Sequence, residues 1–148
     1  MKTVIQRVKK ASVRIESGEK REIAEGLVIL AAFGKNDTQQ ICCKIFDKIM
    51  NLRIFSNDCG KFDYSLHDIK GDLLIISQFT LYGNCKKGKR PDFNEAASYE
   101  HGKKLYEKFL SIAKSSGLKV ENGEFGADML VEIHNDGPVT IIVDSENI

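Results

Sequence analysis

Two strongly apolar runs dominate this sequence and limit what it can fold into. Residues 27–33 lie between Gly26 and Gly34, and residues 73–81 form a second run. Each is strand-length and carries β-branched residues, which suits a strand buried on both faces of a sheet. The second run departs from pure apolarity at Ser77-Gln78, and a polar insertion in such a strand needs a partner or a ligand.

With the segments around these runs, the order reads strands, helix, strands, helix, strands, which is not the strand–helix alternation of a doubly wound fold. Residues 4–8 and 12–15 read as short strands around a turn at Lys9-Lys10. Asn36-Asp37-Thr38 opens a helix, with Asp37 and Gln40 spaced as a capping box. Ile41, Cys42, Ile45, Phe46, Ile49 and Leu52 share one face of that helix. Residues 53–55 read as a strand, 57–61 as a turn and 65–72 as irregular chain. A second helix is expected over 94–116, with Tyr99, Tyr106, Phe109, Leu110 and Ala113 buried and Gly117 as its stop. Residues 119–121, 129–133 and 139–143 read as closing strands. The order predicts a single α+β domain over residues 1–148, with a mixed sheet or open β-barrel-like core and two main helices. No G-x-G-x-x-G or Walker loop occurs, so the pattern does not predict a nucleotide-binding α/β fold.

Composition narrows the function classes. The 148 residues carry 22 basic and 21 acidic side chains, a balance that does not hold a protein on nucleic acid by overall charge alone. No apolar run reaches the roughly 18 residues of a membrane span, and the charged start does not resemble a secretory signal. The expectation is a cytoplasmic protein without a membrane partner. Cys42, Cys43, Cys59 and Cys85 show no zinc spacing and are expected as reduced thiols.

Three clusters could carry chemistry. Ser77-Gln78-Phe79-Thr80-Leu81 places hydroxyls, an amide and backbone N–H groups at the end of a buried strand. They either bond within the core or face a ligand. A Ser or Thr nucleophile needs a base, and His67, His101 and His134 sit in no triad-like context. Asn135-Asp136-Gly137-Pro138-Val139-Thr140 reads either as a turn before the last strand or as a functional loop. Lys86, Lys87, Lys89 and Arg90, around Gly88, can follow a phosphate backbone or form a solvated loop. Asp63, Asp68 and Asp72 are too scattered to predict a metal site.

The first two clusters together resemble the two-motif signature of the D-aminoacyl-tRNA deacylase family. Further stretches agree: Val4-Ile5-Gln6-Arg7-Val8 with Ala11-Ser12-Val13, Leu52-Arg53-Ile54-Phe55, Gly88-Lys89-Arg90-Pro91-Asp92-Phe93 with Ala96-Ala97, and Phe125-Gly126-Ala127-Asp128-Met129. The resemblance spans essentially the whole chain. It departs from the common pattern at Lys61-Phe62-Asp63, where Met-Asn more often follows the Lys, and over residues 19–25, which lack expected glycines.

The resemblance implies hydrolysis of the ester joining a D-amino acid, or glycine mischarged on tRNA(Ala), to tRNA. It implies a homodimer with active sites at the subunit interface and no metal or other cofactor. Ser77, Gln78, Phe79 and Thr80 would form the catalytic segment. Gly137-Pro138, with a cis peptide, would reach into the partner's pocket and exclude L-side chains by main-chain clash, and Arg7 would hold that motif. Lys86, Lys87, Lys89 and Arg90 are the tRNA-binding candidates. Two mechanisms fit: Thr80 as nucleophile, or water assisted by the substrate's terminal 2′-hydroxyl, with backbone N–H groups facing the oxyanion. Rival readings are a non-catalytic tRNA-binding module, an L-threonyl-tRNA editing-type domain and a small-molecule esterase.

Overall fold

The computed structural model describes residues 1–86 and 88–148. Its strands are β1 (Lys2–Ile15), β2 (Lys20–Ile23), β3 (Gly26–Ala32), β4 (Phe55–Ser56), β5 (Phe62–Tyr64), β6 (Asp72–Ser77), β7 (Val120–Asn122) and β8 (Met129–Asp144). Its helices are α1 (Gln39–Met50), α2 (Leu66–Ile69) and α3 (Tyr99–Lys114).

The apolar runs become β3 and β6, paired in parallel from Gly26↔Asp72 to Ala31↔Ser77. β7 adds in parallel to β6, and β1 pairs antiparallel with β3, β2 and β8. The result is a mixed six-stranded sheet, with β4–β5 as a separate hairpin. Arg21 of β2 donates to the Asn122 carbonyl of β7 at 2.6 Å, and Lys119 donates to the Glu22 carbonyl at 3.0 Å. These bonds draw two sheet ends together and give a nearly closed, barrel-like shape.

Two apolar clusters fill the molecule. The larger packs Ile5, Ile29 and Ile75 of the sheet against α1 and α3, where Phe109 meets Phe33 and Phe46 edge to face. The smaller, with Val13, Ile23, Val28, Leu74 and Ile76, lies where β2 and the far half of β1 fold back.

Several local expectations are corrected. Lys9-Lys10 is not a turn: β1 runs through it, and its register with β8 shifts between Val8 and Lys10. Residues 129–133 and 139–143 belong to one strand, because the chain between them bulges out of the ladder without reversing. Thr38, not Asp37, caps α1, its hydroxyl accepting from Ile41 N. Asp37 is buried and accepts from the Met1 amino group and Gly34 N, each at 2.6 Å. The strand expected over 53–55 begins only at Phe55. Residues 65–72 contain α2, closed by a reciprocal cap between Ser65 and Asp68. The second main helix begins at Tyr99, later than expected. Tyr99 is exposed, and its place on the buried face is taken by Gly102 and Leu105.

Candidate active site

β6 ends at Ser77, and the expected strand over 73–81 stops there. Gln78 N still donates to the Ala31 carbonyl at 2.8 Å, and the chain then turns into a 3-10 helix at Phe79–Tyr82. The change is local: Gln78 has φ −145° and ψ 73°, off the strand conformation. Thr80 is exposed, and its hydroxyl accepts from Gln78 Nε2 at 2.5 Å. Phe79 is 58% exposed and rests edge-on against Phe93, ring centroids 5.1 Å apart. The Gly34↔Ala96 bridge and the bond from Ala97 N to Phe33 O bring the Phe93 segment to the end of β3.

Ser77, Gln78 and Phe79 line two concavities. One, of about 300 Å³, is completed by Ile76, Gly126, Ala127, Asp128, Met129 and Val131. The other is small and apolar, with Phe33, Ala97, Gly102 and Phe125. No histidine or carboxylate hydrogen-bonds to Ser77, Gln78 or Thr80 among the described residues. Neither concavity contains Gly137 or Pro138.

The bulge of β8 is built separately. From Gln6↔Thr140 to Val8↔Asn135, β1 advances two residues while β8 advances five, so residues 136–139 loop out. Asn135 ties the loop's ends: its Oδ1 accepts from Val139 N at 2.8 Å, and its Nδ2 donates to Thr140 Oγ1 at 3.0 Å. Gly137 and Pro138 are exposed at the tip, joined by a cis peptide, and Gly137 has φ +133°. That φ disfavours any side chain.

Arg7 holds the loop. Its Nε donates to the Asp136 carbonyl at 3.0 Å and lies 3.3 Å from the Asp136 carboxylate, while Nη1 donates to the Ile54 carbonyl at 2.6 Å. Lys9 lies 3.5 Å from the same carboxylate and 2.7 Å from Glu25, whose hydrogen bond and charge raise the lysine's pKa. Asn135, Asp136, Ile54 and the Phe62 ring above Arg7 are contributors that sequence reasoning left unassigned. All four lie in stretches that the resemblance touches, Asn135 and Asp136 in a main motif, Ile54 in an agreeing stretch and Phe62 in a departure from the pattern, but their contacts with the loop and Arg7 are set by the fold.

The basic candidates follow the 3-10 turn. Lys86, Lys89 and Arg90 are exposed in a loop pinned by the Asn84↔Asp92 bridge, and Lys87 lies outside the described residues. No cluster of three or more metal-ligating side chains occurs among the described residues.

The model of the D-Tyr-tRNA(Tyr) deacylase family matches residues 4–144. The chain belongs to that family. A D-aminoacyl-tRNA deacylase of Clostridium botulinum (strain Alaska E43 / Type E3) is 56% identical over 98% of this chain and 97% of its own. That of Aquifex aeolicus (strain VF5) is 53% identical over the whole of both chains. Among solved structures, the c-Myc DNA unwinding element binding protein is 40% identical, with a TM-score of 0.89 over 97% of this chain and 98% of that one. A structure described as a probable eukaryotic D-amino acid tRNA deacylase is 16% identical, with a TM-score of 0.86 over 96% and 97% of the two chains. At that identity the likeness concerns the fold alone. No helix among the described residues is long and apolar enough to cross a membrane.

Proposed function

We propose that this enzyme hydrolyses the ester bond of D-aminoacyl-tRNA as a homodimer in the cytoplasm, with the Ser77–Thr80 segment of one subunit and the Gly137-Pro138 tip of the other forming each active site. One observation carries the shared site: the two motifs do not meet within one chain. Gly137 and Pro138 project from the sheet at an exposed tip, while the concavities at Ser77–Phe79 contain neither. A second copy supplies the missing wall.

The chemistry follows from what the Ser77–Thr80 segment offers. The first N–H groups of a helical turn have no acceptor within it, and here they belong to Phe79 and Thr80 beside the concavity. They are suited to a developing oxyanion. No base is bonded to Thr80 among the described residues, so water is the nucleophile, assisted by the substrate's 2′-hydroxyl. Water adds to the ester carbonyl, the bond to the ribose oxygen breaks, and the proton passes to that oxygen. Free amino acid and tRNA result, without a metal or other cofactor. Lys86, Lys87, Lys89 and Arg90 are assigned to the tRNA backbone. Carbonyls of the Gly137-Pro138 tip face the substrate's α-carbon and clash with an L-side chain. Glycine has no side chain to exclude, so glycyl-tRNA mischarged on tRNA(Ala) is also a substrate in this reading.

The test is hydrolysis of matched D-tyrosyl-tRNA and L-tyrosyl-tRNA by the purified protein in EDTA. Rapid loss of the D-ester with survival of the L-ester is expected. Survival of both, with tight tRNA binding, would replace the deacylase by a binding module; loss of the L-ester alone would indicate an L-editing enzyme.

A further inference from the structure

The proposed chiral filter depends on a loop tied at its ends by Asn135 and held at Asp136 by the Arg7 guanidinium, and the structure shows what holds that guanidinium. Arg7 is 8% exposed. Two of its nitrogens are committed, Nη1 to the Ile54 carbonyl and Nε to Asp136. The third, Nη2, lies 3.1 Å from where a Cβ on Gly137 would stand. These contacts fix the edge of the planar group and leave its face to be covered.

The ring of Phe62 covers it, with the guanidinium carbon 5.5 Å from the ring centroid. Phe62 is 55% exposed, so its ring is not taken up by the core. Its position is built with care. β4 and β5 pair Phe55 with Tyr64 and Ser56 with Phe62, so the hairpin that offers the Ile54 carbonyl to the guanidinium edge also offers Phe62 to its face. The connecting turn is tied by Asn57, whose Oδ1 accepts from Cys59 N at 2.9 Å and Lys61 N at 3.1 Å. Asn57 Nδ2 donates to Asp63 at 3.2 Å.

We propose that Phe62 is a positioning residue of the deacylase site, clamping Arg7 through a cation–π contact and thereby holding the Gly137-Pro138 tip in the conformation that rejects L-aminoacyl esters. The proposal rests on the chiral role of that tip. An aromatic ring binds a cation through its face, which an aliphatic side chain of similar bulk cannot do. Without the ring, water reaches the guanidinium and competes for its bonds to Asp136. The tip then samples positions that admit an L-side chain. The ester and the Ser77–Thr80 segment are untouched, so the effect falls on discrimination and not on tRNA affinity.

The experiment compares D- and L-tyrosyl-tRNA hydrolysis by wild type, Phe62→Leu, Phe62→Tyr and Gly137→Ala, with thermal melting as the control for folding. Phe62→Leu is expected to lower the ratio of D- to L-specific kcat/KM about two- to fivefold, the rate equivalent of an exposed cation–π contact. The KM for D-tyrosyl-tRNA should not change, and Phe62→Tyr, which keeps the ring, should restore the ratio. A wild-type ratio in Phe62→Leu, or an equal loss in Phe62→Tyr, overturns the clamp. If Gly137→Ala also keeps the wild-type ratio, the chiral role of the tip is wrong and the clamp falls with it. If Gly137→Ala loses discrimination while Phe62→Leu does not, the clamp alone is wrong.

Discussion

At Thr80 the geometry bears on mechanism through what it does not connect. The hydroxyl accepts a hydrogen bond from Gln78 Nε2, and that donor offers it no route for losing its own proton. A threonine nucleophile needs a base within hydrogen-bond reach, and none is bonded to it among the described residues. Thr80→Ala should therefore retain kcat on D-tyrosyl-tRNA to within about tenfold, since removing a covalent nucleophile costs on the order of 10⁴-fold or more. A single-turnover assay decides this, and a loss of the larger size would make Thr80 the nucleophile. Gly137 is constrained differently. A Cβ there would lie 2.7 Å from Val139 Cγ2 and 3.0 Å from Val139 N, at a φ of +133°. Gly137→Ala should distort the tip even where the rest of the chain is unchanged.

Among the elements, the β3–β6 pair depends most on one residue. An ideal Cβ on Gly26 would stand 2.0 Å from the Asp72 carbonyl oxygen, so a side chain there must part the two strands where their register begins. Gly26→Ala should cost about 1–3 kcal/mol or more, as overpacking does, measured by the urea midpoint. Cys42 in α1 makes a second test. Burial pushes its thiol up to about 11 from an ordinary 9.0. The unfolded chain therefore releases this proton first as pH rises. The stabilising contribution is whole below about pH 9 and is lost as pH climbs through about 11. Cys42→Ala should flatten the fall in stability over that window, and urea denaturation from pH 8 to 11 would reveal no difference if the thiol is irrelevant. The elements most legible in the sequence share a cause with these two sites. β3, β6 and α1 announced themselves because an apolar run or a 3.6-residue face is a local record of burial. β1 and β8 were each divided in two because Lys9-Lys10 and Asp136–Val139 break the local pattern, and a bulge differs from a turn only in what the neighbouring strand does. Asp37 looked like a helix cap for the same reason: its partner, the Met1 amino group, lies at the far end of the local sequence. The candidate site divides along this line, with Ser77–Thr80 and Gly137-Pro138 visible as motifs and the Phe62–Arg7 contact visible only once a hairpin brings them together.

The whole molecule leaves an apolar row uncovered. Ile142, Val4 and Leu30 stand opposite one another across β8, β1 and β3, and residues directly opposite project from the same face. Val4 and Leu30 are only partly covered, and Ile142 is 72% exposed. β8 pairs with β1 alone among the described strands, so its other edge is open along a 16-residue strand, an arrangement that invites pairing with another chain. The proposed dimer uses this region, because β8 carries the Gly137-Pro138 tip and begins at Met129, a lining residue of the concavity that must receive the partner's tip. Two copies related by a two-fold axis can exchange tips across it, each completing the other's site. The wild-type protein should sediment at twice the 16.6 kDa chain mass. Ile142→Glu places a charge on the apolar row, and because the side chain is already exposed in the single chain it should alter the fold's own stability by only about 0.5 kcal/mol. The variant should therefore sediment as a folded monomer and lose D-tyrosyl-tRNA hydrolysis, and mixing it with an active-site variant should not rescue turnover. A folded Ile142→Glu monomer with wild-type activity would place the complete site within one chain. A persistent, active dimer would move the interface elsewhere on the surface.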